Sequence, residues 1–237
     1  MRINKYIAQS GLCSRRKADE LIANGNVRVN AAVLREPGYD VQEGDRVEVN
    51  GHLIETEAES VYVLINKPLG MVTTVSDDKE RLTVMEVVKD IDARLFPVGR
   101  LDLDTEGLLL ITNDGTLAHE LLSPKKHVTK TYFAKVQGRV TTEDVKRFSL
   151  GLDIGEEKPT LPATLVIEKS DDISEIRVSI TEGKYHQVKR MFEAVGKQVL
   201  FLKRLSMGTL QLDETLTPGS YRALTTEELS ALKNRTI

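Results

Sequence analysis

Between Pro97 and Gly115 the chain reads PVGRLDLDTEGLLLITNDG, which sets the carboxylates of Asp102 and Asp104 next to Arg100 and then enters an apolar run. A carboxylate kept ionised by a cation and sheltered from water by apolar side chains can act as a nucleophile at a sugar or base carbon. Leu101 and Leu103 flank Asp102, and Leu108 to Leu110 follow. A second segment, EGKYHQVKRMF, supplies cations at Lys184, Lys189 and Arg190. Plainer readings stand beside this one. Asp and Thr also cap helices and form turns, and Asp-Gly is a common hairpin turn. The second segment also reads as an amphipathic helix with Val188, Met191, Phe192 and Val195 toward a core. A helix that buries one face can still offer a cation at its edge, and spacing alone leaves open which cation meets the carboxylate.

Composition removes several other chemistries. A chain of 237 residues with 40% hydrophobic residues makes one large domain, or a large one plus a small one. A single cysteine, Cys13, excludes an internal disulfide, and its setting near a turn suits a structural role. His52, His119, His127 and His186 are scattered, without Cys partners or an HExxH spacing, so no metal site is expected. Gly-rich phosphate loops and a GxSxG elbow are absent, which leaves nucleotide hydrolysis and serine-hydrolase chemistry without support. The N-terminal MRINKYIAQSG lacks the apolar core of a signal peptide, and no run of about 18 apolar residues suggests a membrane span, so the cytoplasm is the expected location.

The elements that must position the two segments begin with two helical patterns. Ile3, Tyr6 and Ile7 share a face, as do Ala18, Leu21 and Ile22 after a Ser14 cap and before Gly25. NVRVN and DRVEVNG alternate valines as half-buried strands do, closing a small helix-helix-strand unit near residue 60. The formal net charge of −3 conceals a polarised unit. Arg2, Lys5, Arg15, Arg16, Lys17, Arg28 and Arg35 crowd its first half, and Glu36 to Glu59 is mainly acidic. Arg15-Arg16-Lys17 could be an ordinary solvated helix face. Cations in a helix's first turn oppose the macrodipole at a cost of a few tenths of a kcal/mol, which a neighbouring phosphate would explain. Arg2, Lys5, Arg15, Arg16, Lys17 and Arg28 are therefore the expected nucleic-acid contacts. The stretch RINKYIAQSGLCSRRKADELIANGNVRVNAAV resembles the alpha-L RNA-binding module that a small-subunit ribosomal protein shares with many RNA-modifying enzymes.

After the acidic link ETEAES, VYVLINKPLGMVTTV reads as a strand, a Lys-Pro-Leu-Gly turn and a second strand. GLLLITN, KTYFAKVQG, ATLVIEK and EIRVSITEG are further candidate strands, while TVMEVVKDI, TTEDVKRFSLG, YHQVKRMFEAVG and TTEELSALKN have helical spacing. No regular βαβ rhythm emerges, so the expected class is α+β, with domains at 1–59 and 60–237.

Taken together, the segments resemble the RsuA-type pseudouridine synthases across essentially the whole chain. The run from Gly99 is similar to that family's GRLDxDTxGL signature, and EGKYHQVKRMF is similar to its third motif. The resemblance implies a catalytic domain whose mixed, largely antiparallel sheet is flanked by helices. It implies Asp102 as the catalytic residue with Asp104 in support, Tyr132 of KTY as the ring that packs on uracil, and Lys189 as the cation paired with Asp102. Tyr132 could otherwise be an ordinary strand aromatic. Arg100, Thr105, Gly107, Lys184, His186, Gln187 and Arg190, within the same motifs, become candidate substrate contacts. INKPLG matches the family's opening turn. The implied reaction turns one uridine of small-subunit ribosomal RNA into pseudouridine, without cofactor or metal, in a monomer whose partner is that RNA or an assembling small subunit. Sisters acting on large-subunit RNA tend to carry Asn-Arg-Gln where this chain has Tyr185-His186-Gln187, which favours the small-subunit branch. Three rivals remain: a large-subunit synthase, a non-catalytic ribosome assembly factor built on the same basic module, and an N-glycosidase using Asp102 and Asp104.

Overall fold

The Ser14 hydroxyl accepts a hydrogen bond from the Lys17 amide at 3.2 Å, and helix α2 (Arg15–Ala23) starts there, following α1 (Ile3–Gln9). The computed structural model describes residues 1–54 and 59–234, so positions 55–58 of the ETEAES link lie outside the described residues. Strands β1 (Val27–Val29), β2 (Ala32–Leu34), β3 (Val47–Val49) and β4 (His52–Leu53) form an antiparallel sheet in the order β2-β1-β3-β4. Their valine alternation turns Val27, Val29, Val47 and Val49 onto Ile3, Ile7, Ala18 and Ile22. The return strands β2 and β4 carry no inward alternation, being largely exposed, and so were invisible to hydrophobic periodicity. Between β3 and β4, Asn50 and Gly51 both take left-handed φ angles, 52° and 82°, the turn a two-residue hairpin demands. These elements belong to one unit, Met1–Val61 with Asp92–Arg94 and Asn113–Gly115, and the remaining residues form the other.

In the second unit the described residues form a nine-stranded sheet from β5 (Tyr62–Lys67), β6 (Phe96–Pro97), β7 (Glu106–Thr112), β8 (Lys130–Gln137), β9 (Thr164–Lys169), β10 (Ile173–Ile180), β11 (Gln198–Met207), β12 (Leu210–Gln211) and β13 (Tyr221–Ala223). The path is β13-β5-β7-β11-β8-β10-β9, with β6 on β7 and β12 on β11. Of these pairings only β7 with β11 is parallel. Helices α3 (Gly115–Leu122), α4 (Thr142–Leu150), α5 (Gln187–Ala194) and α6 (Thr226–Lys233) complete an α+β unit. α4 and α6 each begin with a capping box, Thr141 with Asp144 and Thr225 with Glu228. One core gathers Leu64, Leu108, Leu110, Leu117, Leu121 and Met207, and elsewhere Phe148 packs on Phe192 at 4.9 Å. No described helix is long and apolar enough to cross a membrane. No group of three or more His, Cys, Asp or Glu among the described residues could hold a metal ion.

Two local expectations are corrected, one plainer alternative falls away, and one strand is present that periodicity does not show. The segment after Lys-Pro-Leu-Gly is not a strand: Val72 makes only a bridge to Thr83, and Thr73 spends its hydroxyl on the Leu101 carbonyl at 2.7 Å. TVMEVVKDI yields a 3₁₀ turn at Val84–Val88, because three β-branched valines in five residues disfavour a longer helix. Asn113-Asp114-Gly115 does not close a hairpin but leads into α3, and the Asn113 side chain accepts from the Val61 amide at 2.9 Å. β11, a ten-residue interior strand, escaped notice because its inward positions include Arg204 and Ser206, which break the apolar alternation.

Candidate active site

Asp102 lies in the connection between β6 and β7, and that connection is tied down from several directions. The Leu101 amide donates to Thr73 Oγ1 at 3.2 Å, Gly70 donates its amide to the Leu103 carbonyl at 2.9 Å, and the Thr105 amide closes a turn onto the Asp102 carbonyl at 3.1 Å. Beneath the turn, the fully buried Lys67 donates its ammonium to the carbonyls of Thr105 at 2.9 Å and Pro68 at 3.0 Å. Burial lowers the Lys67 pKa to about 8, against the opposing pull of the charges on Asp102, Asp104 and Glu106.

Helix α5 brings the opposing cation. Lys189 Nζ stands 3.1 Å from Asp102 Oδ2 and 2.5 Å from Asp104 Oδ1. Burial works against the Lys189 charge, but hydrogen bonds to Asp104 and Asp102 outweigh it and raise its pKa above the ordinary lysine value. The same hydrogen bond holds Asp104 below the usual carboxylate range. His186, the residue before α5, takes a left-handed backbone with φ 47° and places Nε2 3.5 Å from Asp102 Oδ1. Asp102 thus has a cation at one oxygen and an imidazole near the other. Its side chain is 28% exposed, so a substrate can reach it.

These groups line a cleft of ≈ 960 Å³ together with Arg100, Thr105, Tyr132, Lys184, Gln187 and Arg204. Tyr132 comes from β8, where it stands opposite Arg204 of β11 and Val178 of β10. Arg100 is exposed and makes no hydrogen bond or ion pair with the described residues. Thr105 is buried, and its hydroxyl finds no hydrogen-bond partner among them. Lys184 lines the cleft with its ammonium donated to the carbonyls of Lys158 at 2.6 Å and Pro159 at 3.2 Å. Gln187 also reaches the wall, but its amide is committed: Oε1 accepts from the Lys184 amide at 2.8 Å and Nε2 donates to Glu182 at 2.9 Å. Its work is to hold the turn into α5.

Two expected substrate contacts are elsewhere. Gly107 is buried in β7 with φ 106°, and any Cβ there would overlap the backbone of Arg204, so glycine serves strand packing and not the cleft. Arg190 is turned from the cleft wall. It donates to Glu156 at 2.6 Å, to the Tyr185 carbonyl at 3.1 Å and to the Ile154 carbonyl, tying the connection between α4 and β9 to the turn before α5. Conversely, Lys67 and Arg204 were not anticipated. Lys67 lies where the Lys-Pro-Leu-Gly spacing signals only a turn, and Arg204 lies in β11, which shows no apolar alternation and where it is buried with Nε donated to the Leu108 carbonyl at 2.7 Å.

In the first unit, Arg2 and Arg15 line a smaller cavity of ≈ 410 Å³ with Asn4 and Asp19. Arg2 donates to the Gly38 carbonyl at 2.6 Å, and Arg15 contacts Asn4 Oδ1 at 3.4 Å. Lys17 pairs with Glu20 at 2.8 Å, as an ordinary helix-face cation does. Arg16 and Arg28 are exposed, Arg28 on β1, and Lys5 is half-buried on α1.

Comparison with known proteins gives this arrangement its kin. A family model described as RNA pseudouridylate synthase matches residues 61–194, and an S4 domain model matches residues 1–47. The chain is 44% identical to the ribosomal large subunit pseudouridine synthase B of Bacillus subtilis, covering 98% of this chain and 95% of that protein. It is 36% identical to the ribosomal small subunit pseudouridine synthase A of Salmonella typhimurium, covering 98% and 100%. A crystal structure of a pseudouridylate synthase superposes with a TM-score of 0.70 at 35% identity, covering 98% of this chain and 99% of that one. With sequence and fold alike over nearly their full lengths, this chain belongs to the RNA pseudouridine synthases of the RsuA type, with an N-terminal S4 domain.

Proposed function

We propose that this protein converts one uridine of small-subunit ribosomal RNA to pseudouridine, with Asp102 as the catalytic carboxylate, Lys189 as its cation and Tyr132 as the ring that packs on the uracil. The observation that carries this reading is the 3.1 Å contact between Lys189 and Asp102 in a cleft that Tyr132 also lines. The bond from ribose to uracil nitrogen breaks, the base turns, and the ribose is rejoined through carbon 5, whose proton leaves to water while the freed nitrogen takes one up. Nothing is oxidised or reduced, so the chemistry calls for no cofactor. A stacked base is out of reach of Asp102, so the target leaves its stack at a cost of a few kcal/mol, part of which stacking on Tyr132 returns. Arg100, exposed at the cleft, suits a phosphate contact, and Thr105, Lys184, His186 and Gln187 shape the walls.

Residues 1–59 act as the RNA-binding domain and 60–237 as the catalytic domain. Arg2, Lys5, Arg15, Arg16, Lys17 and Arg28 contact phosphates, which positions RNA without selecting sequence. The protein works as a monomer in the cytoplasm, on ribosomal RNA or an assembling small subunit. A large-subunit target is the second reading, favoured by the higher identity to the Bacillus subtilis synthase, 44% against 36%. Tyr185-His186-Gln187, in place of Asn-Arg-Gln, supports the small subunit.

The test is pseudouridine mapping on 16S and 23S transcripts treated with wild type and with Asp102→Asn. Wild type is expected to modify the 16S transcript. Asp102→Asn is expected to modify neither while binding RNA within a few-fold of wild type. Turnover by the variant would remove Asp102 from its role, modification of 23S alone would transfer the substrate, and free uracil among the products would mark a glycosidase.

A further inference from the structure

Tyr185 is 70% exposed, yet it is not a loose surface ring. It lies flat on the imidazole of His186, with centroids 3.9 Å apart and planes inclined by 16°. Both residues line the cleft, and the far edge of His186 reaches within 3.5 Å of Asp102. The two rings therefore form a short stack that starts beside the catalytic carboxylate and ends in solvent at the cleft's rim. One face of Tyr185 is taken by His186.

The backbone holds that stack on both sides. The Tyr185 carbonyl accepts from Arg190 at 3.1 Å, and the preceding Lys184 amide is tied to Gln187 at 2.8 Å. His186 sits in the left-handed region, with φ 47°, a conformation that a side-chain-bearing residue adopts at a cost. A conformation of that kind persists where surrounding contacts over-determine it, commonly at ligand sites. The cleft, ≈ 960 Å³, stands at the upper end of the range for sites that take a drug-sized ligand, about 300–1,000 Å³, so one pyrimidine does not fill it.

From these observations we infer that the Tyr185–His186 stack is a second nucleobase subsite, which receives an unpaired base flanking the target uridine. The inference rests on the proposed placement of the target at Asp102 and Tyr132. Every base has a π-face, so the platform contributes affinity and register without choosing the base. The extruded uridine drags its neighbours out of regular stacking. A rigid ring at the rim gives one of them a surface to rest on.

The test uses the full chain and the 16S transcript. Tyr185→Ala is expected to raise KM about tenfold, within the range stacking energies allow, with kcat held within about threefold. Tyr185→Phe is expected to restore the wild-type KM, since the ring and not the hydroxyl does the stacking. The chain contains no tryptophan, so Tyr185→Trp provides a single fluorescent reporter, whose emission the transcript is expected to quench. An unchanged KM in Tyr185→Ala, or unquenched emission from Tyr185→Trp, overturns the subsite while wild type stays active. A fall in kcat alone also overturns it and makes Tyr185 a support for His186. Wild type inactive on both transcripts would overturn the proposed function, a failure visible before any Tyr185 variant is measured.

Discussion

Lys189 serves two carboxylates with one ammonium, and the asymmetry between them is informative. Asp104 is 72% exposed and Asp102 only 28%, so water can replace Lys189 at Asp104 far better than at Asp102. Lys189→Met is expected to lower kcat/KM by at least about 100-fold, roughly 2.7 kcal/mol of lost transition-state stabilisation, measured as tritium release from RNA carrying 5-tritiated uridine. Lys189→Arg keeps the charge but presents a planar fork where a point charge fits, and is expected to retain activity within about tenfold. Below the same turn, Lys67 is both buried and cationic, and its folded pKa of about 8 lies under the ordinary 10.5. Between those values the unfolded chain binds more protons than the folded one, so stability rises with pH across the window, by about 3 kcal/mol in all. The stability of wild type minus that of Lys67→Met, from urea denaturation, is expected to increase from pH 8 to pH 10.5. A flat difference would mean that Lys67 keeps its proton in the folded chain.

Among the elements, the junction of β7 and β11 carries the most consequence for the site. β7 is buried on both sides and continues the turn that holds Asp102, while β11 adds Arg204 to the cleft wall. Their parallel pairing brings Arg204 opposite Gly107 so closely that a methyl group cannot be admitted. Gly107→Ala is expected to destabilise the fold by about 3 kcal/mol or more, from backbone overlap and positive φ combined, read as a lowered urea midpoint at unchanged slope. This glycine looks functional in sequence because it sits inside the motif around Asp102. Its reason for being glycine is packing. The same junction explains what periodicity could and could not reveal: β7 announces itself by an unbroken run, Leu108 to Ile111, whereas β11 hides behind inward-facing Arg204 and Ser206.

Across the molecule, a net charge of −3 coexists with a first unit whose cations concentrate at Arg2, Lys5, Arg15, Arg16, Lys17 and Arg28. Replacing Arg15, Arg16 and Lys17 together with Gln is expected to weaken RNA binding and to reduce the slope of log affinity against log salt by about 2, since each phosphate contact contributes about 0.7–0.9. Filter binding over a salt series, with circular dichroism to show that the variant is folded, measures it. An unchanged slope would take these side chains out of the RNA interface.

The sequence by itself determined the α+β class, the order of a small charge-polarised unit before a larger one, and the resemblance carried by GRLDLDTEGL and EGKYHQVKRMF, because each is written in local spacing and residue type. Spacing leaves Lys184, Lys189 and Arg190 equal as partners for Asp102 and the family resemblance implies Lys189, but only the tertiary structure carries that ammonium across 87 residues of chain to 3.1 Å from the carboxylate. It also sent Arg190 and Gly107 to scaffold duties and brought the unforeseen Lys67 and Arg204 to the site. Contacts of that range depend on the order in which strands pair, and neither a period of two nor one of 3.6 residues encodes that order.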